Sequence, residues 1–261
     1  MKMKKTMIAL AVVSGAFMSG NVMASDWIQN GNGGTVELGG TLTPVEKVTP
    51  WSVKVGDAVS VLNAQVQKGQ RAVSVSVKKP ILFLGIHQNE AYFEGQNGIN
   101  PQIDYNGAVD LNGFREGVTK IKLPVKDKEQ HEIGYMEAKF SAGAMRQWKK
   151  DDGTVVRQSL YANKSGNAFY GGVGKNSDAV LSYSQLEGMM EKLDSKLTKG
   201  MWINGTWEHA TSGAFERGRR YQGYYGGGII DSPINITLST PAKGDNSFEW
   251  HASLPVVVYY Q

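Results

Sequence analysis

Residues 250–261 of this 261-residue chain read WHASLPVVVYYQ and place an apolar side chain at every even-numbered position. The alternating residues are Trp250, Ala252, Leu254, Val256, Val258 and Tyr260. A period of two is typical of a β-strand with one buried face, because successive side chains of a strand point to opposite sides of the sheet. The sequence therefore predicts a long closing β-strand.

Several upstream segments show the same period. Residues 72–77 (AVSVSV) and 233–238 (PINITL) alternate, and residues 81–84 (ILFL) form the continuous apolar run of a strand covered on both faces. Residues 119–125 and 134–140 predict two strands joined by the charged turn 126–129. The 32 glycines indicate many turns. Together these patterns predict an all-β domain.

One segment has helical periodicity instead. Between residues 181 and 197 the apolar positions are spaced as one face of an amphipathic helix, namely Leu186, Met189, Met190, Leu193 and Leu197. Ser184 with Glu187 predicts a capping box, and Gly200 follows the predicted end. We expect this stripe to pack against the sheet. The glycine-rich residues 164–175 and 213–228 are predicted to be long loops beside the helix.

The N-terminus predicts export. Lys2, Lys4 and Lys5 precede a short apolar stretch over residues 7–17, and residues 22–24 (VMA) supply the small residues of a cleavage site before Ser25. The apolar stretch is too short to span a membrane, which takes about 20 residues. Residues 1–24 are therefore predicted to be a cleaved signal peptide, and the mature chain is predicted to be secreted.

Charge and composition exclude several functions. Without the three lysines of residues 1–24, the chain carries 25 basic and 24 acidic residues. No broad basic surface for nucleic acid is predicted from this balance. Cysteine is absent, so disulfides and thiolate metal sites are excluded.

No catalytic constellation stands out in the sequence. The histidines His87, His131, His209 and His251 lack metal-ligand spacing, and no serine lies in a nucleophile elbow. We expect no enzymatic activity, no cofactor and no metal.

Five blocks of sequence carry a family resemblance. They are residues 32–43 (NGGTVELGGTLT), 79–85 (KPILFLG), 101–103 (PQI), 169–172 (FYGG) and the closing segment 250–260. In these blocks the chain resembles subunits, major or minor, of chaperone–usher fimbriae, and specifically the FaeG-like family of the K-eighty-eight type.

The resemblance implies a fold and an assembly mechanism. It implies an incomplete immunoglobulin-like β-sandwich over residues 44–261, with an inserted helix-containing subdomain at about 148–228. It also implies that residues 25–43 form an extension that completes the sandwich of a neighbouring subunit by donor-strand complementation. Residues Val36, Leu38, Gly40 and Leu42 would enter the groove, whose edge would be formed by Leu254, Val256, Val258 and Tyr260. The implied partners are a periplasmic chaperone, an outer-membrane usher and neighbouring subunits, and the implied destination, reached through the periplasm, is a cell-surface fimbria.

Two functions remain open from the sequence. The chain is either a structural, minor subunit, or a major adhesive subunit that also binds host glycans through the inserted region. The candidate glycan contacts are Trp202, Trp207, Tyr221, Tyr224 and Tyr225, whose aromatic faces suit sugar stacking but equally suit packing in a core.

Overall fold

The structure is a computed structural model that describes residues 36, 38–44, 48–202 and 204–261. The predicted signal peptide and residues 25–35 lie outside this part of the chain. The chain divides between residues 46 and 47 into two units. The described residues of the first unit belong to no helix or strand, and every element below belongs to the second.

Strands dominate the described chain, as the alternating patterns predict. They are β1 (Trp51–Val55), β2 (Ala72–Val75), β3 (Ile81–Gln88), β4 (Phe93–Glu94), β5 (Pro101–Asp104), β6 (Val118–Lys126), β7 (Glu132–Lys149), β8 (Val155–Ser159), β9 (Thr206–Trp207), β10 (Arg220–Ile229), β11 (Ile234–Leu238) and β12 (Val257–Tyr260). One α-helix, α1 (Tyr183–Leu193), is followed by a short 3₁₀ turn at Ser195–Leu197. No described helix has the length and apolar character required to cross a membrane.

The strands form a large sheet and a small one. The large sheet has the order β1-β3-β10-β7-β11-β2, with β6 and β8 also paired to β7. The first half of β7 pairs with β6 and β11, and its second half pairs with β10 and β8. The small sheet pairs β12 with β5. An apolar core joins the two sheets, which confirms an all-β, sandwich-like fold.

Helix α1 covers part of the large sheet. The predicted stripe of Leu186, Met189, Met190, Leu193 and Leu197 is buried in a cluster with Leu82, Met145 and Tyr224 of the sheet. The prediction that this stripe packs on the sheet is therefore confirmed. The predicted capping box is wrong, because Ser182 is the N-cap and its hydroxyl lies 2.6 Å from Gln185 Oε1. Ser182 with Gln185 and Ser184 with Glu187 both have the spacing of a capping box, and the helix begins at the first of these two pairs.

Three glycines in register make room for the helix. Gly226 of β10 lies opposite Gly85 of β3 and Gly143 of β7. A Cβ atom at Gly143 would lie 2.3 Å from a methyl carbon of Leu186, and one at Gly85 would lie 2.8 Å from a methyl carbon of Leu197. We call these three residues the glycine strip, since they leave a side-chain-free track on which the helical segment lies.

The predicted loop over residues 213–228 is wrong from Arg220 onward. Those residues form β10, which lies between β3 and β7 in the large sheet. Glycine is tolerated in this strand because side chains from other elements occupy the space that a larger residue would fill. A Cβ atom at Gly223 would lie 2.6 Å from Trp51 and 2.7 Å from Phe215. The insertion at about 148–228 stays a prediction, although its last nine residues lie in β10 of the large sheet.

Candidate functional site

An apolar groove lies between residues 55–63 and residues 247–256. Its volume is about 770 Å³. The sheet contributes the lining residues Ile81, Leu123, Met136, Ile229 and Ile234. A second cavity of about 450 Å³ continues along residues 64–68 and is lined by Val73, Val75, Ile236 and Leu238. The two cavities share Ser247, Phe248 and Trp250.

Much of the backbone on both sides of the groove has no strand partner. After β1, the Gly56 amide donates to Phe83 O at 3.1 Å, and the next backbone bond joins Gly69 to Ala242 at 2.9 Å. On the other side, His251 exchanges two bonds with Lys126, at 2.9 and 3.0 Å. Residues 58–66 and 252–256 form no backbone hydrogen bond within the described chain. Unpaired edges of this kind can accept a further strand.

The C-terminal segment keeps its predicted alternation but not its predicted extent. Leu254, Val256, Val258 and Tyr260 are half-buried against the core, while the intervening residues are exposed. Strand pairing is limited to Val257–Tyr260, however, because β5 ends at Asp104 and offers no partner further along. Of the four residues predicted for the groove edge, Leu254 and Val256 line the groove, whereas Val258 and Tyr260 belong to β12.

The predicted donor residues are exposed in the first unit. Val36, Leu38 and Leu42 expose 83%, 93% and 96% of their surface, respectively. A Cβ atom built at Gly40 would have no neighbour within 4 Å. Exposure of three large apolar side chains at alternate positions is unfavourable in water, so these residues are available for burial by another surface.

Three predicted glycan contacts are wrong. Tyr221, Tyr224 and Tyr225 are completely buried, and a sugar cannot stack on a ring that solvent does not reach. Tyr224 OH accepts a 2.9 Å hydrogen bond from Gln88, and the Tyr225 hydroxyl lies 2.7 Å from that of Tyr105. A Cβ atom at Gly227 would lie 2.6 Å from the Tyr225 hydroxyl, so glycine at this position of β10 leaves room for that side chain.

Trp202 and Trp207 are half-buried and differ in their surroundings. The Trp202 amide donates to Gln147 and Gln222, and the Lys149 ammonium lies 4.8 Å from the Trp202 ring centre. The Arg157 guanidinium carbon lies 5.6 Å from the Trp207 ring centre, and Trp207 also lines an open cleft of about 990 Å³ beside α1. Polar neighbours of Trp207 in the cleft include Gln158, Ser182, Gln185, Glu208 and His209. The sequence did not reveal this cleft, because its walls come from separate segments.

One described group has metal-ligand atoms close together. Asp127, Glu129 and His131 lie in the turn between β6 and β7, with one ligand atom from each within 4.8 Å of the others. Asp127 Oδ1 accepts the His131 amide at 2.9 Å, which is the ordinary geometry of such a turn. The three side chains are largely exposed, and their closeness follows from the tight turn between β6 and β7.

Comparison with known proteins identifies the family. A family model described as fimbrial, major and minor subunit, matches residues 3–261. K88 fimbrial protein AD of Escherichia coli is 29% identical over 296 residues, and K88 fimbrial protein AC of the same species is 28% identical over 294 residues. The F41 fimbrial protein of Escherichia coli is 27% identical over 283 residues. Each match covers 99% of this chain and 100% of the relative. This chain therefore belongs to the K88 family of major and minor fimbrial subunits.

Proposed function

We propose that this fimbrial subunit is a structural protein without enzymatic activity, which polymerises by donor-strand complementation. In this mechanism residues 25–43 of one copy extend into the groove of the next copy. The observation that carries the proposal is an apolar groove flanked by two backbone segments without strand partners. A strand inserted between residues 58–66 and 252–256 would pair with both and complete the sandwich.

The extension has the pattern that such a groove requires. Val36, Leu38 and Leu42 fall on one face of an extended chain, and each is almost fully exposed in its own unit. Burying a Val or Leu side chain stabilises a complex by about 1.5–3 kcal/mol. Three such residues, with new backbone hydrogen bonds on both sides, give the inserted strand a large share of the stability of the assembled subunit.

The open groove also explains the proposed partners. An unfilled groove exposes an apolar surface beside unpaired edges, which promotes aggregation. A periplasmic chaperone would cover the groove after export, and an outer-membrane usher would exchange the chaperone for the next subunit. Because the chain has no cysteine, no disulfide compensates for the missing strand. A minor structural role predicts few copies per fibre, which quantitative mass spectrometry of purified fimbriae measures.

Deletion of residues 25–43 tests the mechanism. The truncated mature chain, co-expressed with its chaperone and usher, is expected to be recovered bound to the chaperone and to form no polymers on a non-denaturing gel. A matched control replaces Glu37 by Gln and Thr41 by Asn, since both positions face away from the proposed apolar face. The control is expected to polymerise normally, and polymers formed by the truncated chain would contradict the proposal.

A second candidate function is glycan binding through the cleft at Trp207. An aromatic ring beside amide, hydroxyl and carboxylate groups matches the surface of a sugar, which has an apolar face and hydroxyls at its edge. The test is a host glycan array probed with the exported chain and with Trp207→Ala, with Trp202→Ala as the matched control. Binding lost only in Trp207→Ala would support this function, whereas no binding by the parent chain would leave the structural role alone.

A further inference from the structure

Met201 is the least buried methionine of the predicted mature chain. The sequence has ten methionines, of which five lie in residues 1–24 and are predicted to leave with the signal peptide. Four of the other five expose between 0% and 7% of their surface, namely Met136, Met145, Met189 and Met190. Met201 is half-buried instead and lies shortly after the 3₁₀ turn at Ser195–Leu197. Because cysteine is absent, methionine carries all the sulfur of the chain.

The Met201 side chain lies between an apolar and a polar environment. On one side it packs against the buried cluster beneath α1. It also lines an open cavity of about 430 Å³, whose other lining residues are mostly polar, namely Arg157, Glu187, Glu191, Thr198 and Asn204. A water molecule takes up about 30 Å³ of the liquid, so a small polar solute has room to enter this cavity.

Arg157 brings a buried hydrogen-bond donor to the wall of the cavity. The residue is 8% exposed, its Nη1 atom donates to Glu187 Oε1 at 2.7 Å, and its Nη2 atom donates to the Trp202 carbonyl. The third donor atom, Nε, has no hydrogen-bond partner within the described chain. An unpaired buried donor is unfavourable, so a new acceptor oxygen within its reach would be stabilised.

We propose that Met201 is a site of reversible oxidation by hydrogen peroxide and that the cavity accommodates its sulfoxide. A lone pair of Sδ attacks one peroxide oxygen, the O–O bond breaks, and the second oxygen leaves as water after a proton transfer. Sulfur loses two electrons and the peroxide gains them. The sulfoxide oxygen is a hydrogen-bond acceptor, and the Arg157 guanidinium, the Thr198 hydroxyl and the Asn204 amide line the space beside it.

The buried methionines would tolerate the same reaction less well. An oxygen added to Met189 or Met190 would place a polar group in the apolar cluster between α1 and the sheet. Met201 therefore consumes peroxide at a position where the product is solvated, and it spares the methionines on which packing depends. This property of the folded subunit does not require polymerisation.

Peroxide treatment of the exported chain, followed by peptide mapping with mass spectrometry, tests the site. Met201 is expected to gain one oxygen at least about tenfold faster than any buried methionine, since a buried side chain reacts only when the structure opens. In urea all five methionines are expected to react at similar rates. Met201→Leu is expected to abolish the early oxidation, and Met189→Leu, the matched control, to leave it unchanged.

Thermal unfolding tests whether the sulfoxide is accommodated. The chain oxidised at Met201 alone is expected to unfold within about 5 °C of the untreated chain. A methionine sulfoxide reductase is expected to restore the original mass. Oxidation of any buried methionine as fast as Met201 in the folded chain would overturn the assignment of the site. A larger loss of melting temperature on oxidation of Met201 alone would overturn its accommodation in the cavity.

Discussion

Replacing Gly143 by alanine should weaken the attachment of α1 to the large sheet. A Cβ atom at this position would lie 2.3 Å from Leu186 Cδ1 and 3.1 Å from Met189 Cε. Ordinary carbon contacts are about 3.5–4.0 Å, so the Leu186 methyl group has to move by more than ~1 Å. Overpacking of this kind costs about 1–3 kcal/mol, and the lower entropy of the unfolded alanine chain offsets about 0.5–1 kcal/mol. We therefore expect a net loss of up to about 2.5 kcal/mol in the free energy of unfolding, with a midpoint of about 1 kcal/mol.

A double-mutant cycle with Leu186→Ala tests this explanation. Leu186→Ala alone is expected to cost about 2–5 kcal/mol through the cavity it leaves. Adding Gly143→Ala to it should cost nothing further or restore some stability, because the new methyl group fills part of that cavity. Urea denaturation of the exported chain, followed by tryptophan fluorescence, gives the four free energies. Gly188→Ala is the control, since a Cβ there has no neighbour within 4 Å. Additive effects of the two substitutions, within about 0.5 kcal/mol, would refute the steric explanation.

Three further predictions concern buried tyrosines and the groove edge. The Tyr225 hydroxyl donates to the Gly172 carbonyl at 3.1 Å and therefore accepts a hydrogen bond from the Tyr105 hydroxyl. Tyr225→Phe consequently leaves the buried Tyr105 hydroxyl without an acceptor. Urea denaturation should show a loss of about 1–3 kcal/mol for Tyr225→Phe and a smaller one for Tyr105→Phe, and equal losses would be inconsistent with this bonding order. Burial raises the pKa of Tyr224 to about 12, while an unfolded tyrosine ionises near 10, so the unfolded chain loses its proton first. Stability should therefore fall as the pH rises from about 10 to 12, by up to about 1.4 kcal/mol per unit from this residue, and Tyr224→Phe should make the measured slope shallower. Leu254→Asp should abolish polymer formation by placing a carboxylate in the groove, whereas Ser253→Asp, on the exposed neighbour, should leave polymers on a non-denaturing gel unchanged.

Periodicity predicted the elements whose burial depends on local sequence. The stripe from Leu186 to Leu197 packs on the sheet, and the even-numbered residues from Trp250 to Tyr260 face the core. These predictions hold because a helix or an extended segment places its own side chains at fixed intervals. The extent of strand pairing is a different property, since it depends on whether a partner lies alongside, as the end of β5 at Asp104 shows.

The glycine-rich segment shows why other features were not predicted. Gly223 and Gly226 suggest a loop when only local propensity is considered, yet they lie in a strand of the large sheet. Their role depends on large side chains from other elements, such as Trp51 and Leu197, which occupy the space above them. The cleft at Trp207 was missed for the same reason, because segments distant in sequence form its walls. Assigning Tyr221 as a sugar contact failed because composition does not say which face of a strand is covered.

The length of β7 bears on how the subunit loses its structure. Its 18 residues extend for about 60 Å as a single strand. Met136, in the first half of the strand, lines the groove, while Met145, in the second half, lies beneath α1. Because one continuous strand serves both regions, we expect an opening that spreads along β7 to break the hydrogen-bonded ladders of both. We expect a strand bound in the groove to slow amide hydrogen exchange throughout β7, as far as the residues under the helix. Assembly into a fibre would then protect the distant end of each subunit as well as the junction between subunits.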